Sequence, residues 1–513
     1  MRDRPRVLLA LLVIAAVLGG IALLGSLDED DGDSAPRSLP TATTRGEATT
    51  STSAPAATTT SGVRSDVLVD PASFARPWGS RVDGLLTFRG NPTRSYHGRG
   101  PVPRAPQVAF RFPDSAMCGA SSEGGVTKQW CGMGWTGQPA VFARGGRTWL
   151  VFGAYDYRVH FLDAGTGERI LPDFPTGDII KGSVTVDPDG FPLVYAGSRD
   201  NKLRVLAIDR AEPVELWSID ANDVGPTLWN NDWDGSPLVV NDHLVEGGEN
   251  SRFHVVKLNR AYGADGLVTV APELVFHAAG WDDELLTAIG DRTVSIEQSV
   301  AIAGDTAWFA NSGGLLQGWD LSFVRTGSGA PTRTFRFWLG DDSDASIVVD
   351  DEGYLYAGVE HERGTARSKE IGQLVKLDPR HPEAPVVWAV HDDDGSKSGT
   401  WSTAAVLDEA VIWPTRAGTV YGIDRATGAV RWTVDLPAPL MGSPVVVDGV
   451  WLQGDCDGVL HAFDVRDASV APRELWAVEL GGCIEATPAV WDGKIYVGTR
   501  AGFLYALADA SGG

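Results

Sequence analysis

Several things are scarce in this 513-residue sequence. Basic side chains are outnumbered: 43 Lys and Arg stand against 67 Asp and Glu, a formal net charge of −24. Such a surplus argues against nucleic acid or an anionic membrane surface as partner, and its plain role is solubility. There are four cysteines, none in a C-x-x-C-H haem motif. No G-x-S-x-G, H-E-x-x-H, P-loop or EF-hand loop occurs, which leaves the chemistries of those motifs without support. The nine histidines do not cluster. His160, His254 and His461 sit in strand-like or loop contexts where satisfied structural roles are expected.

The N-terminus, by contrast, is well marked. Arg2, Arg4 and Arg6 precede an apolar or small-residue run from Val7 to Gly25, and the acidic stretch Asp28 to Asp33 follows. The run has about the length of a helix crossing a bilayer, and the charge order predicts a cytoplasmic residue 1–6 segment with the remainder outside. A cleaved signal peptide is the rival reading. No clear small-x-small cleavage site precedes the acidic run, which favours an uncleaved anchor over 7–25. The expected location is thus the cell membrane, single-pass. Residues 26–83 are rich in Ser, Thr, Ala and Pro, cannot bury enough apolar surface to fold, and read as a disordered stalk.

After the stalk the chain repeats. Eight short strands begin alike, in GQPAVF, KGSVTV, DGSPLVV, EQSVAI, DASIVV, STAAVL, GSPVVV and EATPAVW, at spacings of roughly 40 to 50 residues. Each opens a four-strand unit. The third strands end at Asp163, Asp209, Asn259, Asp320, Asp378, Asp424 and Asp464, where an Asx side chain can bond the following turn. Trp217, Trp338, Trp388, Trp432 and Trp476 close fourth strands and are expected to pack between units. The predicted fold is all-β: an eight-bladed propeller of four-stranded antiparallel blades over residues 84–513, behind the membrane helix. The last unit stops after its third strand. Gln107 to Pro113 has the alternation to supply the fourth and close the ring, which removes an open sheet edge.

Residues 418–432 (GTVYGIDRATGAVRW) and 493–507 (GKIYVGTRAGFLYAL) resemble the repeat of pyrroloquinoline-quinone propellers. The resemblance covers about residues 84–513. It implies either a quinone- and calcium-dependent dehydrogenase of alcohols or sugars, or a propeller that binds no quinone and acts as an assembly scaffold. The dehydrogenases of that family carry adjacent cysteines beneath the cofactor, and this chain has none.

Aligning the eight strand starts places Thr136, Lys181, Asp234, Glu297, Asp344, Trp401, Met441 and Glu485 in one register, predicting a ring at the channel mouth. Second strands returning to that face bring Tyr155, Arg199, Glu249, Asn250, Glu360, Arg416, Asp455 and Arg500. Trp233 and Trp401 flank the ring. Such a funnel has oxygen ligands for a divalent cation, with Asp234, Glu297 and Asp344 as the candidate set, and also suits an amine or, on its Arg side, a polar anion. Insertions at 281–293 and 361–370 flank ring residues and add weight to this face. In an exported chain the cysteines are expected as disulfides Cys118–Cys131 and Cys456–Cys483, the second joining neighbouring blades. The expected function is binding of a small polar ligand or a cell-envelope protein at the funnel; a quinoprotein dehydrogenase and a structural scaffold are the alternatives.

Overall fold

The computed structural model describes residues 66–79, 81–123, 125–135, 137–392 and 398–510. The described residues outside Ser122–Thr127 fall in one compact unit, to which the account below refers. Within Ser122–Thr127 itself, the Ser122 and Thr127 hydroxyls share a hydrogen bond of 2.8 Å. The expected anchor over 7–25 lies outside the described residues, and among these no helix is long and apolar enough to cross a membrane.

Eight antiparallel sheets follow one another along the chain. Blade 1 runs from Ala140–Arg144 to Phe174–Pro175, and blade 7 from Val445–Val447 to Arg473–Glu479. Blade 8 is Ala489–Trp491, Lys494–Gly498 and Leu504–Asp509, completed by Pro106–Phe112, which pairs antiparallel with Leu504–Asp509. The two ends of the chain therefore close the ring as expected, and no blade is left with an unpaired third strand.

The repeat works through its turns and its indoles. Asp163 Oδ1 accepts from the Gly165 and Thr166 amides, and Asp424 Oδ1 from Ala426 and Thr427. Both turns end in a left-handed glycine, Gly167 (φ 77°) and Gly428 (φ 75°), where a Cβ would be strained. Trp388 packs with Tyr356 and Trp413 between blades 5 and 6, and Trp432 with Trp451 and Phe463 between blades 6 and 7. Burying such side chains is worth on the order of 2–3 kcal/mol each.

Two features of the centre were not expected. The first is a hydroxyl collar. Two residues after the ring position stands Ser or Thr in blades 2 to 8, and Gln138 in blade 1. The backbone N–H of one blade donates to the hydroxyl of the next: Ser236 to Ser299, Ser299 to Ser346, Ser346 to Thr403, Thr403 to Ser443 and Ser443 to Thr487, at 2.9–3.3 Å. The second is a plug. Gly84–Leu85 pairs with the inner strand of blade 1, and Gly98–Arg99 with that of blade 8. Between them the chain crosses the channel. Leu86, Pro92 and Thr93 carbonyls accept from Val186, Ile302 and Val349 of blades 2, 4 and 5. Arg94 donates to Val300 O and Ser236 O, while Arg89 donates to Pro444 O and Ala404 O. Both guanidinium groups are fully buried, and burial lowers each pKa to about 9. The plug floors the funnel beneath the ring.

The described part of the expected stalk, from residue 66 onward, packs on the blades. Val69 bridges to Gly304 through two backbone bonds, Asp70 caps a short 3₁₀ turn over Pro71–Ser73, and Phe74 and Trp78 join hydrophobic clusters of the blades. A few spaced apolar residues suffice to dock this segment.

Candidate functional site

The register assumed for the mouth is visible in the backbone. In seven blades the residue ending the second strand donates its N–H to the carbonyl two residues before the ring position: Arg199 to Ile179, Glu249 to Asp232, Ser312 to Ser295, Glu360 to Asp342, Arg416 to Gly399, Cys456 to Pro439 and Arg500 to Cys483. This one bond brings a second-strand side chain beside a ring side chain in each of these blades. In blade 7 the position belongs to Cys456. Asp455 instead turns inward, its Oδ2 3.2 Å from His461 Nε2. Cys456 is bonded to Cys483, and Cys118 to Cys131, so both expected disulfides are present.

The ring residues divide into two groups. Lys181, Asp234, Glu297 and Asp344, from blades 2 to 5, form a charged network with Arg199, Glu249 and Glu360. Lys181 Nζ bonds Asp234 Oδ2 and lies 3.7 Å from Glu249 Oε1. Burial opposes its charge, but Asp234, Glu249 and Glu297 outweigh burial and hold its pKa well above the ordinary lysine value. Arg199 bonds Asp232, and Asn230 Nδ2 reaches Asp232 Oδ2 and Glu249 Oε2 at 2.8 Å. Asp342, Asp344 and Glu360 form a second trio. Burial, reinforced by neighbouring carboxylates, raises the pKa of all three well above the carboxylate range.

The other arc is less crowded. Arg500 donates to both oxygens of Glu485, at 2.9 and 3.0 Å, and stacks its guanidinium over Trp130 and Tyr155. Glu485 is thus paired rather than part of a crowded acid ring. Arg416 lies 3.4 Å from Glu360 Oε2 and 4.2 Å over the Trp401 ring. Trp401 accepts a 3.1 Å bond from Trp135 Nε1 through its carbonyl. Met441 is buried, and Thr136 lies outside the described residues.

Two expected funnel residues are not there. Trp233 is buried between blades 2 and 3 with Tyr195, Leu203 and Val205, its Nε1 donating to Asn201 O at 2.8 Å. Asn250 is fully buried, donating to Ala221 O and accepting from the Arg252 amide. Each follows a residue that points into the mouth, and in extended chain the next side chain points away.

The metal set expected from sequence is also redrawn. Asp234 and Glu297 group with Glu249, whereas Asp344 groups with Asp342 and Glu360; in each trio one oxygen per residue lies within 4.8 Å of the others. Asp342 was missed, although it repeats Asp232 in an Asp-x-Asp pattern ending at the ring position. The two insertions meet over the second trio: residues 281–293 contain the helix Asp283–Ile289, residues 361–370 lead into Ala366–Ile371, and Arg363 Nε contacts Asp291 Oδ2 at 3.2 Å. Three histidines have structural partners: His160 sits between Asp156 and Asp173, His461 between Asp455 and Glu474, and His254 packs on Trp233.

Comparison with known proteins fits this architecture. A family model described as outer membrane protein assembly factor BamB matches residues 372–513. No curated protein matches the chain. Among solved structures, the quinohemoprotein alcohol dehydrogenase from Comamonas testosteroni is similar, at 14% identity and TM-score 0.56, with 84% of this chain and 81% of that one covered. A europium-containing methanol dehydrogenase is similar at 13% identity and TM-score 0.53, covering 83% and 98%. Identities this low speak to fold alone. Together with the repeat segments at 418–432 and 493–507, they identify the fold of this chain as the pyrroloquinoline-quinone-like repeat β-propeller.

Proposed function

We propose that this is a membrane-anchored, extracytoplasmic binding propeller whose acidic funnel takes a small polar cationic ligand or a basic group of a cell-envelope protein. One observation carries the reading: the mouth already seats an ammonium group, that of Lys181, among Asp234 and Glu249. Further carboxylates surround it, and Asp234 Oδ1, Asp342 Oδ1 and Asp344 Oδ1 are buried without a hydrogen-bond partner among the described residues. Buried carboxylate oxygens are costly unless paired, so a cation entering here gains charge and lone pairs together.

The same inventory bears on the cofactors the fold family suggests. Pyrroloquinoline quinone is a tricarboxylate and needs cationic donors. The guanidinium groups at the mouth are already held by acids, Arg199 by Asp232, Arg416 by Glu360 and Arg500 by Glu485. The residues present do not fit a bound polyanion, and no redox step is assigned to them. A hard divalent cation such as calcium does suit the carboxylate sets.

Calorimetry with spermidine as an amine probe tests the funnel. Binding that weakens at least tenfold in Glu297→Gln supports it; the absence of any binding at neutral pH sinks it. Anchoring by 7–25 predicts that the protein fractionates with membranes and is released by cutting between residues 40 and 60; a mature chain beginning near residue 26 in the medium would overturn it.

A further inference from the structure

The mouths of blades 3 and 5 are built on one pattern. Each has Asp-x-Asp ending at the ring position, Asp232/Asp234 and Asp342/Asp344, and a second strand ending in Glu, Glu249 and Glu360. Each Glu donates its N–H to the carbonyl of the first Asp, at 3.0 Å from Glu249 to Asp232 and 2.8 Å from Glu360 to Asp342. The three acids thus hang from equivalent backbone positions. What differs is the ring residue of the preceding blade. Before blade 3 it is Lys181, whose ammonium enters the acid set. Before blade 5 it is Glu297, which adds a carboxylate instead of a cation.

We infer that the acids of blade 5, Asp342, Asp344 and Glu360, bind one divalent cation of the calcium class at the place that corresponds to the Lys181 ammonium in blade 3. This rests on the cation-binding reading of the funnel given above. Two further observations point the same way. Asp342 is 7% exposed, and its Oδ1 has no hydrogen-bond partner among the described residues. Asp344, likewise with an unpartnered buried Oδ1, makes no ion pair among the described residues. The guanidinium groups that approach do so from the rim: Arg416 lies 3.4 Å from Glu360 and Arg363 lies 3.9 Å from Asp342. Oxygens within 4.8 Å of one another are spaced for a single ion with metal–oxygen distances of about 2.4 Å. A divalent ion is favoured over an ammonium because Glu297 replaces the lysine and raises the negative charge to be matched. Calcium is favoured over magnesium because two carboxylates in the segment before one strand and one just after the next offer irregular oxygens rather than an octahedron.

The test is calcium titration of the full chain, stripped with EGTA, by calorimetry. Terbium luminescence excited through tryptophan gives a second readout, since Trp401 lies under the Arg416 that touches Glu360. The expected results are one calcium per chain, binding at least tenfold weaker in Asp344→Asn, and two calcium ions per chain in Lys181→Met, where the blade 3 acids lose their own cation. Circular dichroism checks that Asp344→Asn is folded; if it is not, Glu360→Gln replaces it, with the same loss expected. Wild-type protein that binds no calcium overturns the inference, as does unchanged affinity in the folded acid variant, and Lys181→Met still binding a single ion overturns the equivalence of the two blades. If calcium fails while spermidine binds, the metal site alone is wrong; if both fail, the cationic funnel is wrong as well.

Discussion

Blades 3 and 5 place the same three acids on the same backbone frame, yet the cations that answer them come from different places. In blade 3 they are the chain's own and reach inside: Lys181 from the preceding blade, and Arg199 bonded to a buried Asp232. In blade 5 they are guanidinium groups at longer range, 3.4 Å to Glu360 and 3.9 Å to Asp342. A repeat fold makes this comparison possible. The shared backbone bond fixes where side chains point, and single substitutions at the ring position then decide whether a site is internally neutralised or open to a cation from solution.

The comparison is sharpest at the guanidinium groups. Removing one partner of a buried pair leaves an uncompensated charge, so Arg199→Met is expected to cost about 3–5 kcal/mol in urea unfolding. Arg416→Met, at the same second-strand position in its own blade but partly exposed and 3.4 Å from Glu360, is expected to cost less than about 1 kcal/mol. Equal losses would break the contrast. Next in size is Lys181→Met, about 2 kcal/mol at neutral pH. A lysine whose folded pKa is raised stabilises the fold below its ordinary value and loses that contribution only as pH rises through the folded value. The loss in Lys181→Met should therefore be full at neutral pH and shrink toward acid pH as the bereft carboxylates take up protons. A loss that stays constant down to about pH 4 would show that Lys181 acts by packing alone.

Blade 5 titrates in the same direction but over a lower pH range. Asp342, Asp344 and Glu360 are all raised above the carboxylate range, so the folded state holds protons that the unfolded chain has released. In EGTA their contribution is fully present below the ordinary carboxylate values and is lost as pH rises toward their folded values. Each proton held only by the folded state makes that loss about 1.4 kcal/mol for every rise of one in pH. The melting temperature of metal-free protein should rise between about pH 8 and about pH 6 more steeply than that of Asp344→Asn. Parallel profiles would remove Asp344 from the titrating set.

Much of this was legible from repetition. The eight strand starts, five of the seven Asx residues ending third strands and the closing Gln107–Pro113 segment keep their meaning in the fold, whereas Asp209 and Asn259 bond Val268 and Ala271 rather than their own turns. The plug was not legible, because Thr87 to Ser95 reads as a turn-rich loop with two arginines. Its bonds go to blade carbonyls up to 355 positions away, which exist as a set only when the ring has closed. The collar was visible as Ser or Thr in strand after strand, but its purpose lies between blades. Within the site, the ring register was readable while the pairing was not: which carboxylate meets Lys181 depends on side-chain reach across blades. Trp233 and Asn250 were readable after all, since strict alternation already turns them from the mouth once Asp232, Asp234 and Glu249 face it.

The smallest expected effect is also the most discriminating, because one substitution made twice should have opposite signs. Asp234→Asn removes a carboxylate that Lys181 uses, and the ammonium keeps Glu249 at 3.7 Å as its nearest remaining acid partner. A loss of about 1–2 kcal/mol is expected, within the range for a charged hydrogen bond. Asp344→Asn removes a carboxyl group that makes no ion pair among the described residues and whose pKa burial, and then neighbouring carboxylates such as Glu297, push upward. The amide keeps the shape and removes the cost of either protonating that carboxyl or burying its charge at neutral pH. In EGTA the variant should be more stable than wild type by about 0.5–1 kcal/mol, as is common where natural side chains are kept for binding rather than for stability. With calcium in excess the order should reverse, because the ion stabilises only the folded state that binds it, by an amount set by its concentration relative to Kd. Measuring both variants with and without calcium gives four melting temperatures. If Asp344→Asn destabilises the calcium-free protein as Asp234→Asn does, the two mouths are equally self-sufficient and the difference drawn between them is wrong.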